Sequence, residues 1–216
     1  MQVQSSINFT GENHYGYRRD GNGIWQIKSV YFDNPLPLNR AIDKIRTDNT
    51  AIDMLSAYKF FAKKTLNQIY NDLLANDKLK SIKVKGMIDY GQTAFVFETE
   101  DGDILKITNR DHFLGRKPED FDAPIRYHSK LSPKSFCHCY IEEKMSHDIT
   151  KEEVEEIIEN IRQKGYKIVD FRNEQLGKTK DGRVLLIDPE CARKNNIIGL
   201  LKQKFMKIIS FIKMAK

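Results

Sequence analysis

The stretch KIVDFRNEQLGKTKDGRVLLIDPE, residues 167–190, decides how this chain reads. Two short apolar runs end in acids, one at Asp170 and one at Asp188, and between them Asp181-Gly182 marks a hairpin turn. A hairpin of this kind can bring both carboxylates to one end of a small sheet, facing the same cleft. Paired carboxylates suit Mg2+ or Mn2+, because a hard cation prefers oxygen ligands and bridges phosphates.

Working outward, the residues before this stretch read as a helix. Thr150 and Glu153 form a capping box, Val154, Ile157, Ile158 and Ile161 recur on one face, and Gly165 stops the run. Phe136 to Met145 is a strand candidate that follows a charged stretch with a short helix expected near Pro118. Further back, Ile82 to Lys85, Ala94 to Thr99 and Ile104 to Thr108 are β-type runs, and Asp101-Gly102 signals a hairpin between the last two. These make a small antiparallel meander. Gly86 and Gly91 read as parts of a turn whose backbone N–H groups would cover phosphates, and Lys106 lies in the third run. Taken singly, a glycine pair usually makes only a turn and a strand lysine usually points to solvent.

The order of the pieces says more than any one of them: glycine turn, strand lysine, hinge-like strand, capped helix, DxxxxQ, hairpin, apolar run ending in Asp. Over about residues 81–193 the chain resembles the protein-kinase-like superfamily, with VDFRNEQLG similar to its catalytic loop and LLIDPE similar to its metal-binding strand. The resemblance implies an α+β, truncated two-lobed protein-kinase-like fold. Residues 81–145 would form a small antiparallel N-lobe sheet and hinge, and residues 146–216 a reduced helical C-lobe. Residues 1–80 would be an N-terminal extension. Its amphipathic helix is read from Ile52, Leu55, Tyr58, Phe61, Leu66, Ile69, Tyr70 and Leu73, between Asn49 and Ala75, with a shorter helix at Leu38 to Ile45. Residues 1–36 read as an irregular or hairpin-like arm with one strand-like stretch, Ile24 to Phe32.

The resemblance also implies roles. Lys106 would pair with the α and β phosphates of ATP, and Gly86 and Gly91 would lie over the phosphates. The backbone around Glu142, Glu143 and Lys144 would receive adenine. Asp170 would orient the attacking hydroxyl or accept its proton, and Arg172 would neutralise the transferring phosphate. Asp188, with Gln175, would hold Mg2+ or Mn2+. The implied activity is ATP-dependent phosphoryl transfer to a hydroxyl side chain of a protein, of serine/threonine-kinase type. On the same scaffold, a pseudokinase acting as a binding protein, AMP transfer and a small-molecule kinase are the alternatives.

The chain departs from the family pattern at several places. Gln175 stands where the family has a metal-binding Asn, Ile168 and Val169 replace a His-Arg pair, and Pro189-Glu190 replace Phe-Gly. A glutamate normally clamps the lysine from a helix, yet no glutamate occurs between Glu12 and Glu98. Glu119 is the candidate partner, against the plainer reading of a solvated glutamate near a helix start. Only 26 residues follow Glu190, which resembles the minimal kinases of bacterial effectors and phages.

Composition narrows the class without naming it. The chain has 216 residues, 40% hydrophobic and 31% charged, with no run of about eighteen apolar residues, so a soluble globular protein is expected. Residues 1–20 lack a secretory pattern, and Cys137, Cys139 and Cys191 make an odd count. A cytoplasmic site is expected, in the producing cell or in a host cell for a secreted effector. Zinc at Cys137, His138 and Cys139 is disfavoured. The net charge of +6 suits nucleotides and other anions, with no nucleic acid expected as the main ligand. Ile197, Ile198, Leu201, Phe205, Ile208, Ile209 and Ile212 interleave with lysines near the C-terminus. A closing helix is preferred there over one lying on a membrane surface.

Overall fold

Alternating burial along Ala94–Thr99 fixes the plane of the main sheet, since Phe95 and Phe97 are buried while Val96 and Glu98 sit on the other side. The structure, a computed structural model, describes residues 13–19, 25–48, 59–90, 94–110, 113, 116–169 and 171–194. The chain divides into two units, residues 1–116 with 124–144, and residues 117–123 with 145–216.

Unit 1 contains β1 (Asn13–Arg19), β2 (Trp25–Pro37), α1 (Leu38–Thr47), α2 (Lys59–Leu74), α3 (Asp77–Lys80), β3 (Lys83–Tyr90), β4 (Ala94–Thr99), β5 (Ile104–Thr108), β6 (Ile125–Lys130) and β7 (His138–Glu142). Its strands form one antiparallel sheet in the order β1-β2-β3-β4-β5-β7-β6. The expected meander is therefore present as β3-β4-β5, with a positive φ at Gly102 in its second turn.

One face of the sheet carries the row Met87, Phe97, Leu105 and Ile141, matched across four strands by register. Its core includes Leu38, Ala41, Ile42 and Ile45 of α1, Leu66, Ile69 and Leu73 of α2, and Leu79 of α3. Helix α1 starts directly after Pro37, whose restricted φ ends the strand, and its first N–H group, at Leu38, donates to Ile82 O at 2.8 Å. The short helix expected at Leu38 to Ile45 is thus seen. The long one is described over Lys59–Leu74, its earlier part lying outside the described residues.

The boundary expected at residue 81 falls inside this unit. β2 pairs with β3, so the residues read as an irregular or hairpin-like arm supply two strands of the sheet, and the strand-like stretch Ile24 to Phe32 falls largely within β2. A β-hairpin with a partner strand buries its apolar face better than a free arm would, and that gain is invisible in a short-range pattern.

Unit 2 holds α4 (Lys151–Gln163), β8 (Tyr166–Ile168), β9 (Leu176–Lys178), β10 (Val184–Leu186) and β11 (Ala192–Lys194). The capping box is formed: Glu153 N donates to Thr150 Oγ1 and Thr150 N to Glu153 Oε2. β9 and β10 make the expected hairpin, with Gly182 at φ +88°, and β11 pairs with β8. Among the described residues this unit has one α-helix and four short strands, and the closing helix expected over residues 197–216 lies outside the described residues. Near Pro118 no helix forms among the described residues; residues 117–119 are irregular, and Asp122 Oδ2 accepts from Glu119 N. Among the described residues no helix is long and apolar enough to cross a membrane.

Candidate functional site

The second face of the main sheet gathers polar groups, because residues two apart on a strand share a side. Register matches Val96, Lys106, Tyr140 and His128 in one row, and Gly86, Glu98, Ile104 and Glu142 in the next. Lys106 and Glu142 are diagonal neighbours on β5 and β7. Lys106 Nζ lies 2.9 Å from Glu142 Oε2, with side-chain exposures of 16% and 2%. An ion pair so far from water is held by geometry and costs desolvation, so it is weak evidence for stability alone.

Glu98, beside this pair on the same face, accepts from Lys144 Nζ at 2.8 Å and Lys85 Nζ at 3.2 Å. Burial pushes its carboxyl up, but the hydrogen bonds from Lys144 and Lys85 and their charges outweigh this and leave it below the usual range. Glu143 takes Arg126 instead, at 3.0 Å, and Arg126 also reaches Asp103. Tyr140 is buried, and the His128 ring stacks on it at 4.3 Å while lying 3.0 Å, Nε2 to Nδ1, from His138.

In unit 2 the polar groups cluster where the β9–β10 hairpin begins and ends. Arg172 N donates to Gln175 Oε1 at 2.7 Å, and Gln175 Nε2 donates to Asp188 Oδ2 at 3.2 Å. Asp188 Oδ1 accepts from Glu190 N at 3.3 Å, capping a 3-10 turn at Pro189–Cys191. Backbone bonds hold the same two segments together: Ile187 N to Gln175 O at 2.8 Å and Val169 N to Cys191 O at 2.9 Å.

These positions correct two expectations. Gly86 lies inside β3, paired with Tyr31 and Glu98, and not in a turn. A Cβ there would come within 2.9 Å of Tyr31 Cα, so the close approach of β2 requires a glycine. Glu119 accepts from Tyr166 Oη at 2.6 Å in unit 2, while the lysine's partner is Glu142. Gln175 has its oxygen on the Arg172 backbone N–H and its nitrogen toward Asp188. Arg172 has its place on the turn before Gln175. Asp170 and Gly91 lie outside the described residues.

The pairing of Lys106 with Glu142, and the Tyr140–His128–His138 stack, were missed from sequence. Register carries both, and a strand's register is not readable from its own residues.

Among the described residues no group of three His, Cys, Asp or Glu side chains is arranged to hold a metal ion. Asp188 is nonetheless a hard oxygen donor held by two N–H groups, which fits a single contact to Mg2+ or Mn2+. No protein-family model matches this chain, and no curated protein sequence matches it.

Proposed function

We propose that the chain is an ATP-dependent phosphotransferase on the kinase plan, transferring a phosphoryl group to a hydroxyl side chain of a protein. The observation that carries this reading is the buried Lys106–Glu142 pair on the third strand of a meander. Kinases place their phosphate-binding lysine on the third strand and clamp it with a glutamate. Here the clamp comes from β7, so it is fixed by strand register and needs no separate helix.

In this reading Lys106, held extended by Glu142, binds the α and β phosphates. Asp170 takes the proton from the attacking hydroxyl as its oxygen bonds to the γ phosphorus and ADP leaves, and Arg172 supplies positive charge to the transferring group. Asp188 would hold the divalent cation, which when bound neutralises phosphate charge. Catalysis is then positioning and charge neutralisation, since phosphoryl transfer asks little covalent chemistry of the protein.

The test is transfer of labelled phosphate from ATP, with Mg2+ or Mn2+, to the chain itself or to a lysate protein. Label should vanish in Asp170→Ala and in Asp188→Ala, and equal labelling by both variants would sink the assignment. Intact mass after reaction separates a phosphate from an AMP adduct.

A second reading, a pseudokinase that binds ATP without turnover, is favoured by one observation: the Gln175 oxygen is taken by Arg172 N–H. Calorimetric titration showing metal-dependent ATP binding, with no transfer in the labelling assay, would select it.

A further inference from the structure

The amide of Gln175 can be oriented in only one way. Arg172 N–H is a donor, so the atom 2.7 Å away must be the amide oxygen, and the nitrogen is left facing the Asp188 carboxylate. The extra methylene relative to Asn gives the reach to touch both. Gln175 also joins the two segments through its backbone, accepting from Ile187 N and donating to Arg172 O at 2.9 Å. One residue therefore ties the turn after Asp170 to the turn that presents Asp188.

We propose that Gln175 is a positioning residue: it latches the Arg172–Gln175 turn to the Asp188 carboxylate and contributes no oxygen to a divalent cation. The cation site then draws on the Asp188 carboxylate without an amide partner at residue 175. Rupture of the latch leaves the Asp188 carboxylate held by the Glu190 N–H alone and frees Arg172 N–H. Cation binding through Asp188 alone remains possible, so what suffers is orientation. This rests on the phosphotransferase reading only for its kinetic consequence, and the latch itself is a statement about folded structure.

The experiment compares wild type with Gln175→Leu, Gln175→Asn and Asp188→Asn. Amide hydrogen exchange by NMR reads the latch without any nucleotide. Arg172 N–H should exchange about tenfold faster in Gln175→Leu, the loss of one hydrogen bond. In Asp188→Asn the Gln175 side-chain amide resonances should shift while Arg172 protection is kept. Unchanged Arg172 exchange in a folded Gln175→Leu protein overturns the latch, whether or not the protein binds ATP.

The kinetic arm uses Mn2+ with ATP. Turnover in Gln175→Leu should fall about tenfold or more, the usual size for a residue that orients a metal ligand, while Mn2+ affinity stays within about twofold. A Mn2+ affinity lowered more than tenfold in Gln175→Leu, and restored in Gln175→Asn, would make residue 175 a ligand and overturn the proposal. If wild type binds no nucleotide, the phosphotransferase reading fails and the exchange result still decides the latch. Thermal melting of each variant confirms that it is folded.

Discussion

Lys106 and Glu142 stand two positions out of register on neighbouring strands, 2.9 Å apart at their charged ends, with Glu142 only 2% exposed. Removing the cation alone leaves a buried carboxylate facing an apolar group. Lys106→Met should cost about 3 kcal/mol of stability, and adding Glu142→Gln should recover part of that, because breaking a buried pair is worse than replacing it. Urea denaturation of the single and double variants measures it. Equal loss in both would show that packing, and not the charge, sets the cost.

Gly86→Ala should destabilise unit 1 by about 1–3 kcal/mol, since the added carbon meets the β2 backbone and strands cannot part without losing ladder bonds. If Gly86 instead served phosphates, the variant would keep stability and lose only nucleotide affinity. Thermal melting and ATP titration of the same protein separate the outcomes.

The three cysteines are buried, and burial pushes the Cys139 thiol up to about 12. The Cys137 thiol is also raised to about 12, by burial first and by Asp72 second, against a lowering hydrogen bond to Ser135. A thiol so raised is almost wholly protonated at neutral pH, and the thiolate is the reactive form. Native protein at pH 7.5 should therefore react with a disulfide reagent far more slowly than protein in denaturant, at Cys137 and Cys139 alike. Fast native labelling of either, located by mass spectrometry, would contradict the buried positions.

How much of this was legible in the sequence differs by residue. The capping box at Thr150 and Glu153, the Asp181-Gly182 hairpin and the meander around Lys106 are local, so adjacent residues specify them. The clamp was not. Glu142 sits 36 positions from Lys106 in sequence, on a strand that is not the next in chain order, and only sheet order makes them neighbours. The β1–β2 hairpin was read only in outline for a related reason: β2 pairs with β3, far along the chain, while Asn, Gly and Tyr near Gly16 suggest loops.

Glu153 is the residue whose charge should show in a pH profile of unit 2. Its carboxyl is held below the usual range by the hydrogen bond from Lys178 first, and then by the Thr150 backbone N–H, with a small opposing effect of burial. The folded pKa is depressed, so this stabilisation is present above the unfolded value of about 4.3 and is lost as pH falls through the folded value. Glu153→Gln should flatten the stability profile in that acid window and leave it unchanged near pH 7 apart from a constant offset. Melting temperature followed from pH 3 to pH 7 checks it, and parallel profiles for the two proteins would rule the carboxylate out.

Glu142 and Glu119 can be told apart by activity. Glu142 meets Lys106 across the sheet, whereas Glu119 bonds Tyr166 in the other unit. Glu142→Gln keeps shape and removes charge, so it should loosen Lys106 and lower phosphate transfer by about tenfold or more, the scale of loss when a residue that orients a functional group is removed. Glu119→Gln still accepts from Tyr166 and should leave transfer near wild type. A reversed pattern in the labelled-ATP assay would return the clamp to Glu119 and make the β7 pair structural. Loss of transfer in both would point instead to unfolding, which melting of each variant detects.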